Sequence, residues 1–334
     1  MGDRKLRIRF VALISLLVMM TLQGCAGPEH PCADDAPALA PPPFQTLGAV
    51  PLLAGAALRL WCDDGAPETI APGAALNLDG TVTWLGHSGF VIRLAGQTII
   101  TDPVLYEAAL TRASLGGRMA QAPDISGLAA LDAVLISHDD LDHLDRATLR
   151  VLAQRFPQAT LILPQGTRLA RPVPGFARTV TLSEWQQFRL GEVTITATPA
   201  IHLSRRPPLL FGPGPALSFG LAGDGKQVFF SGDSSYGPIF AEIGARLGQF
   251  DLALVPIGAW KPEPLLNDMH MTPEQTAQLA RDLAAPRAVA HHYGTFRMTP
   301  DSPAESLARF KAAAGDTVEI VPLPLGGTTC IASP

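Results

Sequence analysis

The sequence predicts an α/β fold of two mixed β-sheets flanked by helices. Three observations carry this. Short apolar runs rich in β-branched residues recur from Thr81 onward, at strand length. They come in groups with helices interspersed, not in the regular alternation of a doubly wound sheet. Several of them stop at a histidine or an aspartate, and no dinucleotide or P-loop glycine signature is present.

In chain order, residues 1–24 read as an export signal. Arg4, Lys5, Arg7 and Arg9 make a basic start, and Phe10 to Leu22 is an almost unbroken apolar run. That run is about 13 residues, short of a membrane span. The ending Leu22-Gln23-Gly24-Cys25 resembles the bacterial lipoprotein cleavage box. The resemblance implies that Cys25 is the lipidated first residue, with the protein anchored on the periplasmic face of the envelope; Ala26 suits the outer membrane. The bland alternative is an ordinary signal with Cys25 incidental. Residues 25–44 are rich in Pro and Ala without an apolar period, which is the composition of a tether. Residues 45–80 read as an N-terminal arm, and residues 81–334 as one globular domain. Cys32, Cys62 and Cys330 remain. Export permits a disulfide, but three cysteines cannot all pair.

The chain of 334 residues is 47% hydrophobic with a formal charge of −5, and its basic residues form no block beyond the N-terminus. A core is easily afforded, and a nucleic-acid partner is excluded. No internal repeat is found.

Within the domain, "TVTWLGHSGFVIRL" predicts two strands around Gly86-His87-Ser88-Gly89, and "QTIITDP" a third ending at Asp102. "LDAVLIS" is a buried strand by length and composition. Leu144, Thr148, Val151, Leu152 and Phe156 then recur at helical spacing. "TLILP", "VTITATPAIH", the hairpin "ALSFGLAG"/"QVFFSGD", "DLALVPIGAW", "RAVAHHYGTF" and a last strand "TVEIVPLP" complete the sheets. Two helices are announced by their caps, "TPEQ" at 272–275 and "SPAE" at 302–305.

The chemistry concentrates in "SHDDLDHLD", residues 137–145, with two histidines and four aspartates in nine positions of a chain that has 8 His. So many ligand-type groups would repel one another as a plain loop, which points to a cation. His138, His202, Asp233 and His292 each lie just past a predicted strand end, so they converge on one sheet edge. Nitrogen and carboxylate donors suit zinc and related divalent ions. Of the adjacent His291 and His292, only one can easily face the site. A lone histidine at a strand end is more often a satisfied polar group, and His87 is read that way.

Five motifs resemble the metallo-β-lactamase superfamily, an αββα sandwich: "TIITDP", "SHDDLDHLD", "PAIHLSRR", "FFSGDSSYG" and "HHYGTF". "TWLGHSGFVI" and "MHMTPEQT" are similar to the branch that contains N-acyl-phosphatidylethanolamine-hydrolysing phospholipase D. The resemblance implies two divalent ions, with zinc first and manganese or iron as alternatives. His138, Asp140 and His202 would hold one; Asp142, His143 and His292 the other; Asp233 would bridge. Asp140 stands where the family pattern has histidine. It leaves a competent but harder, more negative position. Two cations ~3.5–4 Å apart can hold a hydroxide and stabilise charge on attacking and leaving oxygens. Asp142 would orient that nucleophile and His270 would lie beside it, both as catalytic groups. Ser204, Arg205 and Arg206 are candidates for contact with an anionic substrate. The expected activity is hydrolysis of a phosphodiester, of a phospholipid or a small molecule. The alternatives are a lactonase or carboxylic ester hydrolase, and a non-catalytic binding protein with a degenerate site.

Overall fold

A computed structural model describes residues 66–106, 118–167, 173, 175–204 and 214–332. The chain divides into Met1–Cys62, which lies outside the described residues, and Asp63–Pro334. The signal, Cys25, the tether and most of the N-terminal arm therefore fall outside, as do Arg205 and Arg206.

Two seven-stranded sheets form the centre. The first holds β1 (Thr81–Gly86), β2 (Gly89–Leu94), β3 (Gln97–Thr101), β4 (Ala133–Leu135), β5 (Thr160–Pro164) and β6 (Arg178–Leu182) in that order, with β14 (Thr328–Cys330) on the free edge of β1. The second holds β7 (Gln187–Leu190), β8 (Val193–Pro199), β9 (Leu217–Gly223), β10 (Lys226–Phe230), β11 (Leu252–Pro256), β12 (Arg287–His291) and β13 (Glu319–Ile320), also in order. Both are mixed. Antiparallel pairing runs from β14 to β3 and from β7 to β10; the rest is parallel.

The central strands read as continuous apolar runs because they are buried on both faces. In β4, Ala133 and Leu135 face the seam between the sheets. Val134 and the following Ile136 face the other way, onto helix α1 (Arg146–Arg155), through its Leu149 and Leu152. In the seam, Phe90 of β2 meets Phe230 of β10 edge to face, ring centres 6.4 Å apart. Helices α2 (Ile239–Leu247), α4 (Pro273–Asp282) and α5 (Pro303–Ala314) lie with the second sheet, burying Phe240, Ile243, Ala277, Leu279 and Phe310. A single turn, α3 (Glu263–Leu266), precedes α4.

The caps behave differently. Thr272 and Gln275 form a reciprocal capping box at α4. Ser302 accepts the amide of Glu305 at α5, but the Glu305 carboxylate turns to Lys261 Nζ, 2.6 Å away. The ion pair competes for the return bond.

Three expectations are corrected. Of "TVEIVPLP" only Glu319 and Ile320 pair, on β12; the last strand is β14, which crosses to the first sheet. Strands β6 and β7 carry exposed, polar side chains and gave no apolar signal. Val151, counted on the buried face of α1, is exposed. Part of the N-terminal arm is fastened to the domain: Ile70 N donates to Leu325 O, Leu325 N donates to Glu68 O, and Leu76 is buried.

Candidate metal centre

The loop 137–145 is held at both ends. Ser137 O accepts the amide of Leu217, and His138 forms a β-bridge with Ala216, which ties the end of the first sheet to the second. At the far end Asp145 caps α1, accepting from the amides of Ala147 and Thr148. Backbone contacts at both ends thus place the histidines and aspartates of the loop beside the second sheet.

The other groups arrive from the second sheet. His202 lies three residues past β8, Asp233 three past β10, and His292 directly after β12. Gly232 has φ +55°, and a Cβ there would lie 2.4 Å from Ser137 Cβ. Glycine is what lets the Asp233 turn approach the histidine loop. His292 itself is left-handed, at φ 61°.

The structure brings seven of the predicted residues together. Asp140 Oδ2 lies 3.5 Å from His138 Nε2 and 3.3 Å from His202 Nε2. Asp142 Oδ2 lies 3.5 Å from His143 Nε2 and 3.6 Å from His292 Nε2. Asp233 Oδ2 lies between these two groups, 4.0 Å from His138 Nε2, 3.1 Å from His143 Nε2 and 2.9 Å from His292 Nε2. His270 joins them, Nδ1 3.8 Å from Asp233 Oδ2. Three of its members, Asp140, His202 and His270, are less deeply buried than the rest.

The donor atoms are poorly satisfied by protein. His138 Nε2, His143 Nε2, His270 Nδ1, both ring nitrogens of His292 and Asp233 Oδ1 are buried without a hydrogen-bond partner. Their approaches to carboxylates are close but not aligned as hydrogen bonds. Buried polar atoms are rarely left so, and a cluster of them marks a place for a ligand. Imidazole nitrogens facing carboxylate oxygens at 3–4 Å fit a divalent cation.

Without a cation, protons take up part of that charge. Burial disfavours the imidazolium of His292, but Asp233 and Asp142 outweigh it and raise His292 to about 9. Against the same burial, Asp233 and Asp142 raise His143, and Asp140 with Asp233 raises His202. Asp140, Asp142 and Asp233 are correspondingly held well below the carboxylate range, because the histidines overcome their desolvation. Burial, helped by the neighbouring histidines, pushes His270 and His87 down to about 3 and also lowers His138.

Ser204 differs from its reading as a substrate contact. It is fully buried, and its hydroxyl donates to Asp139 Oδ1 at 2.6 Å and Asp140 Oδ1 at 2.9 Å. It therefore braces Asp140 from behind.

Several site residues were not recognised from sequence. Asp102 accepts from His143 Nδ1 at 2.7 Å and from the amide and hydroxyl of Ser137. The Ser137 Oγ also lies 2.8 Å from His138 Nδ1. One carboxylate thus orients one candidate ligand histidine directly and a second through a hydroxyl. The signal was a strand ending in Asp-Pro. His87, read as an ordinary polar residue, places Nε2 3.0 Å from Asp142 Oδ2. His291 turns away from the site and lies between the hydroxyls of Ser88 and Ser231, 3.1 Å from each.

The Beta-lactamase superfamily domain matches residues 97–293 of the chain. An uncharacterized protein of Mycobacterium tuberculosis is 33% identical over 255 residues, which are 74% of this chain and 67% of that one. N-acyl-phosphatidylethanolamine-hydrolyzing phospholipase D 1 of Caenorhabditis elegans is 28% identical over 228 residues, 65% of this chain and 64% of that one. Among solved structures, Igni18, a metallo hydrolase of the archaeon Ignicoccus hospitalis, shares the fold with a TM-score of 0.56 and 23% identity, over 75% of this chain and 97% of that one. The chain belongs to the metallo-β-lactamase superfamily and is one of its metal-dependent hydrolases.

Proposed function

We propose that the chain is a binuclear phosphodiesterase whose substrate is a phospholipid or a related small phosphodiester. One observation carries the reading: buried, partnerless imidazole nitrogens from separate strand ends face Asp233 in a chain related to a phospholipase D. His138, Asp140 and His202 would hold one cation and Asp142, His143 and His292 the other, with Asp233 between. Bound cations would supply Lewis-acid charge at the phosphoryl group and a more acidic water. Zinc is the expected ion. The oxygen donor of Asp140 moves the first position toward manganese or iron.

The chain's own groups do the rest. Asp142 would orient the attacking water or accept its proton. His270 stays neutral at pH 7, since burial pushes it to about 3, and it offers one N–H to a phosphoryl oxygen. The N-terminus of α4, capped by Thr272, opens two residues later and favours an anion nearby. Export and lipidation at Cys25 would hold this site beside phospholipid.

The test uses protein that begins after Cys25, purified without chelator. Elemental analysis should find about two divalent ions, as a two-metal site requires. N-acyl-phosphatidylethanolamine and simple phosphodiesters should be hydrolysed, and lactones should not. Turnover of lactones alone would replace this reading with the lactonase. Inert protein holding one ion or none would replace it with a binding protein.

A further inference from the structure

We infer that His87 is a positioning residue of the second metal position, joining Asp142 of one sheet to His292 of the other. The inference rests on the binuclear reading above. His87 lies in the turn between β1 and β2, in a left-handed conformation at φ 50°. A non-glycine residue is uncommon there and persists only where its surroundings hold it. Here three bonds do so. Its amide donates to Thr295 Oγ1 at 2.7 Å, and its carbonyl accepts from Trp84 Nε1 at 2.9 Å and from the amide of His292 at 3.1 Å. His292 is left-handed too, so two strained residues from opposite sheets are joined by one backbone bond. Trp84 and Tyr293 stack beside it with ring centres 5.3 Å apart.

The side chain completes the link. His87 is buried, its ring centre is 4.1 Å from that of His292, and Nε2 lies 3.0 Å from Asp142 Oδ2. Asp142 Oδ2 is the same oxygen that faces His143 Nε2 and His292 Nε2. An ionised carboxylate only accepts hydrogen bonds, so this contact needs the proton of His87 on Nε2. That nitrogen is then a donor to Asp142 and has no lone pair for a metal. His87 therefore stops Asp142 rotating and decides which oxygen faces the second position, and it is not itself a ligand.

The neighbouring residues repeat the contact one step deeper. Ser231 Oγ donates to Gly232 O, so it receives the Nε2 proton of His291. His291 Nδ1 is left to accept from Ser88. His87-Ser88 and His291-His292 thus meet pair against pair, the outer pair on the metal site and the inner pair in the core.

The experiment compares His87→Ala, His87→Gln and His87→Asn with the full domain, by chelator competition and by the absorption spectrum of cobalt-substituted protein. The glutamine amide stands near the place of Nε2 and donates without resembling imidazole as a ligand; the asparagine amide stands near Nδ1. His87→Ala and His87→Asn should bind the second ion about 10- to 100-fold more weakly, with the first unchanged. His87→Gln should restore both affinity and spectrum. Equal loss in the Gln and Ala variants with an altered cobalt spectrum would make His87 a ligand and overturn the inference. Full affinity in His87→Ala would overturn it as well. If the alanine variant does not fold, the contrast between Gln and Asn decides. Fewer than two ions in the wild-type protein would instead be a failure of the binuclear reading, seen before any variant is compared.

Discussion

His143 Nδ1 lies 2.7 Å from Asp102 Oδ2, and the same carboxylate also holds the amide and hydroxyl of Ser137. Asp102 sits just past β3 in the first sheet, so the sheet sets the direction of His143 Nε2. The carboxylate requires a proton on Nδ1, so Nε2 is the nitrogen left to bind a cation once its own proton is displaced. Asp102→Asn presents an amide that donates toward Nδ1 and must still accept from Ser137. The imidazole then carries its proton on Nε2 and is lost as a ligand. The variant should fold and lose about 10- to 100-fold in affinity for one ion, with activity falling in step. Chelator competition measures it; undiminished affinity for both ions would remove Asp102 from the site.

Asp140 leads to a different experiment. Its Oδ2 faces His138 Nε2 and His202 Nε2, and Ser204 steadies its Oδ1. Asp140→His replaces a hard anionic donor with a borderline neutral one. The variant, reloaded from an equimolar mixture of zinc and manganese, should retain a higher zinc fraction than the wild type, and it should remain active. Elemental analysis reads the ratio. An inactive variant with both ions in place would give Asp140 a role in the reaction itself.

The parts of this site legible in sequence are those where chemistry is local. Asp140, Asp142 and His143 share one loop with His138, and their mutual repulsion is visible without coordinates. His202, Asp233 and His292 could be added because apolar strands deliver them in register. His87 could not, since its partner Asp142 is 55 positions away and the contact exists only once the sheets face each other. Asp102 was visible as a strand end, but its role depends on Ser137 and His143 lying across the β3–β4 pair. Strand β14 was hidden for a similar reason. Its three residues are not fully buried and are a strand by virtue of pairing with β1. Ser204 was misjudged because a hydroxyl beside two arginines reads as an anion contact, whereas its backbone, bridged to Gly214, turns it inward.

Gly258 has its own test. It follows β11, and a Cβ there would lie 1.8 Å from His292 O and 2.8 Å from His292 C. Backbone cannot yield as a flexible side chain does, so Gly258→Ala must push the His292 turn away from the site. The expected cost is upward of 3 kcal/mol, roughly the range of severe single substitutions. Thermal unfolding should show a large drop in Tm. Whatever folded protein remains should be depleted in the second ion. A Tm within a degree of wild type would mean that the His292 turn relaxes freely.

The last prediction concerns pH. In the metal-free protein Asp233 and Asp142 hold His292 up to about 9 against its burial, and His143 and His202 are also raised. Raised histidines bind more protons folded than unfolded. The stability they contribute is fully present below the unfolded value near 6.5 and is lost as pH rises through the folded value, about 9 for His292. Chelator-treated protein should therefore lose stability steadily between those limits. A cation competes with the same protons, so its binding should release them, with affinity rising by about tenfold per pH unit for each proton displaced. In the metal-loaded protein these histidines carry no proton folded, and above about pH 6.5 none unfolded, so its unfolding temperature should stay nearly flat across the window where the metal-free protein weakens. Calorimetric titration in buffers of different ionisation enthalpy counts the protons. Binding without proton release near pH 7, or a metal-free protein equally stable at both ends of the window, would mean that these histidines are already neutral and that the carboxylates are balanced in another way.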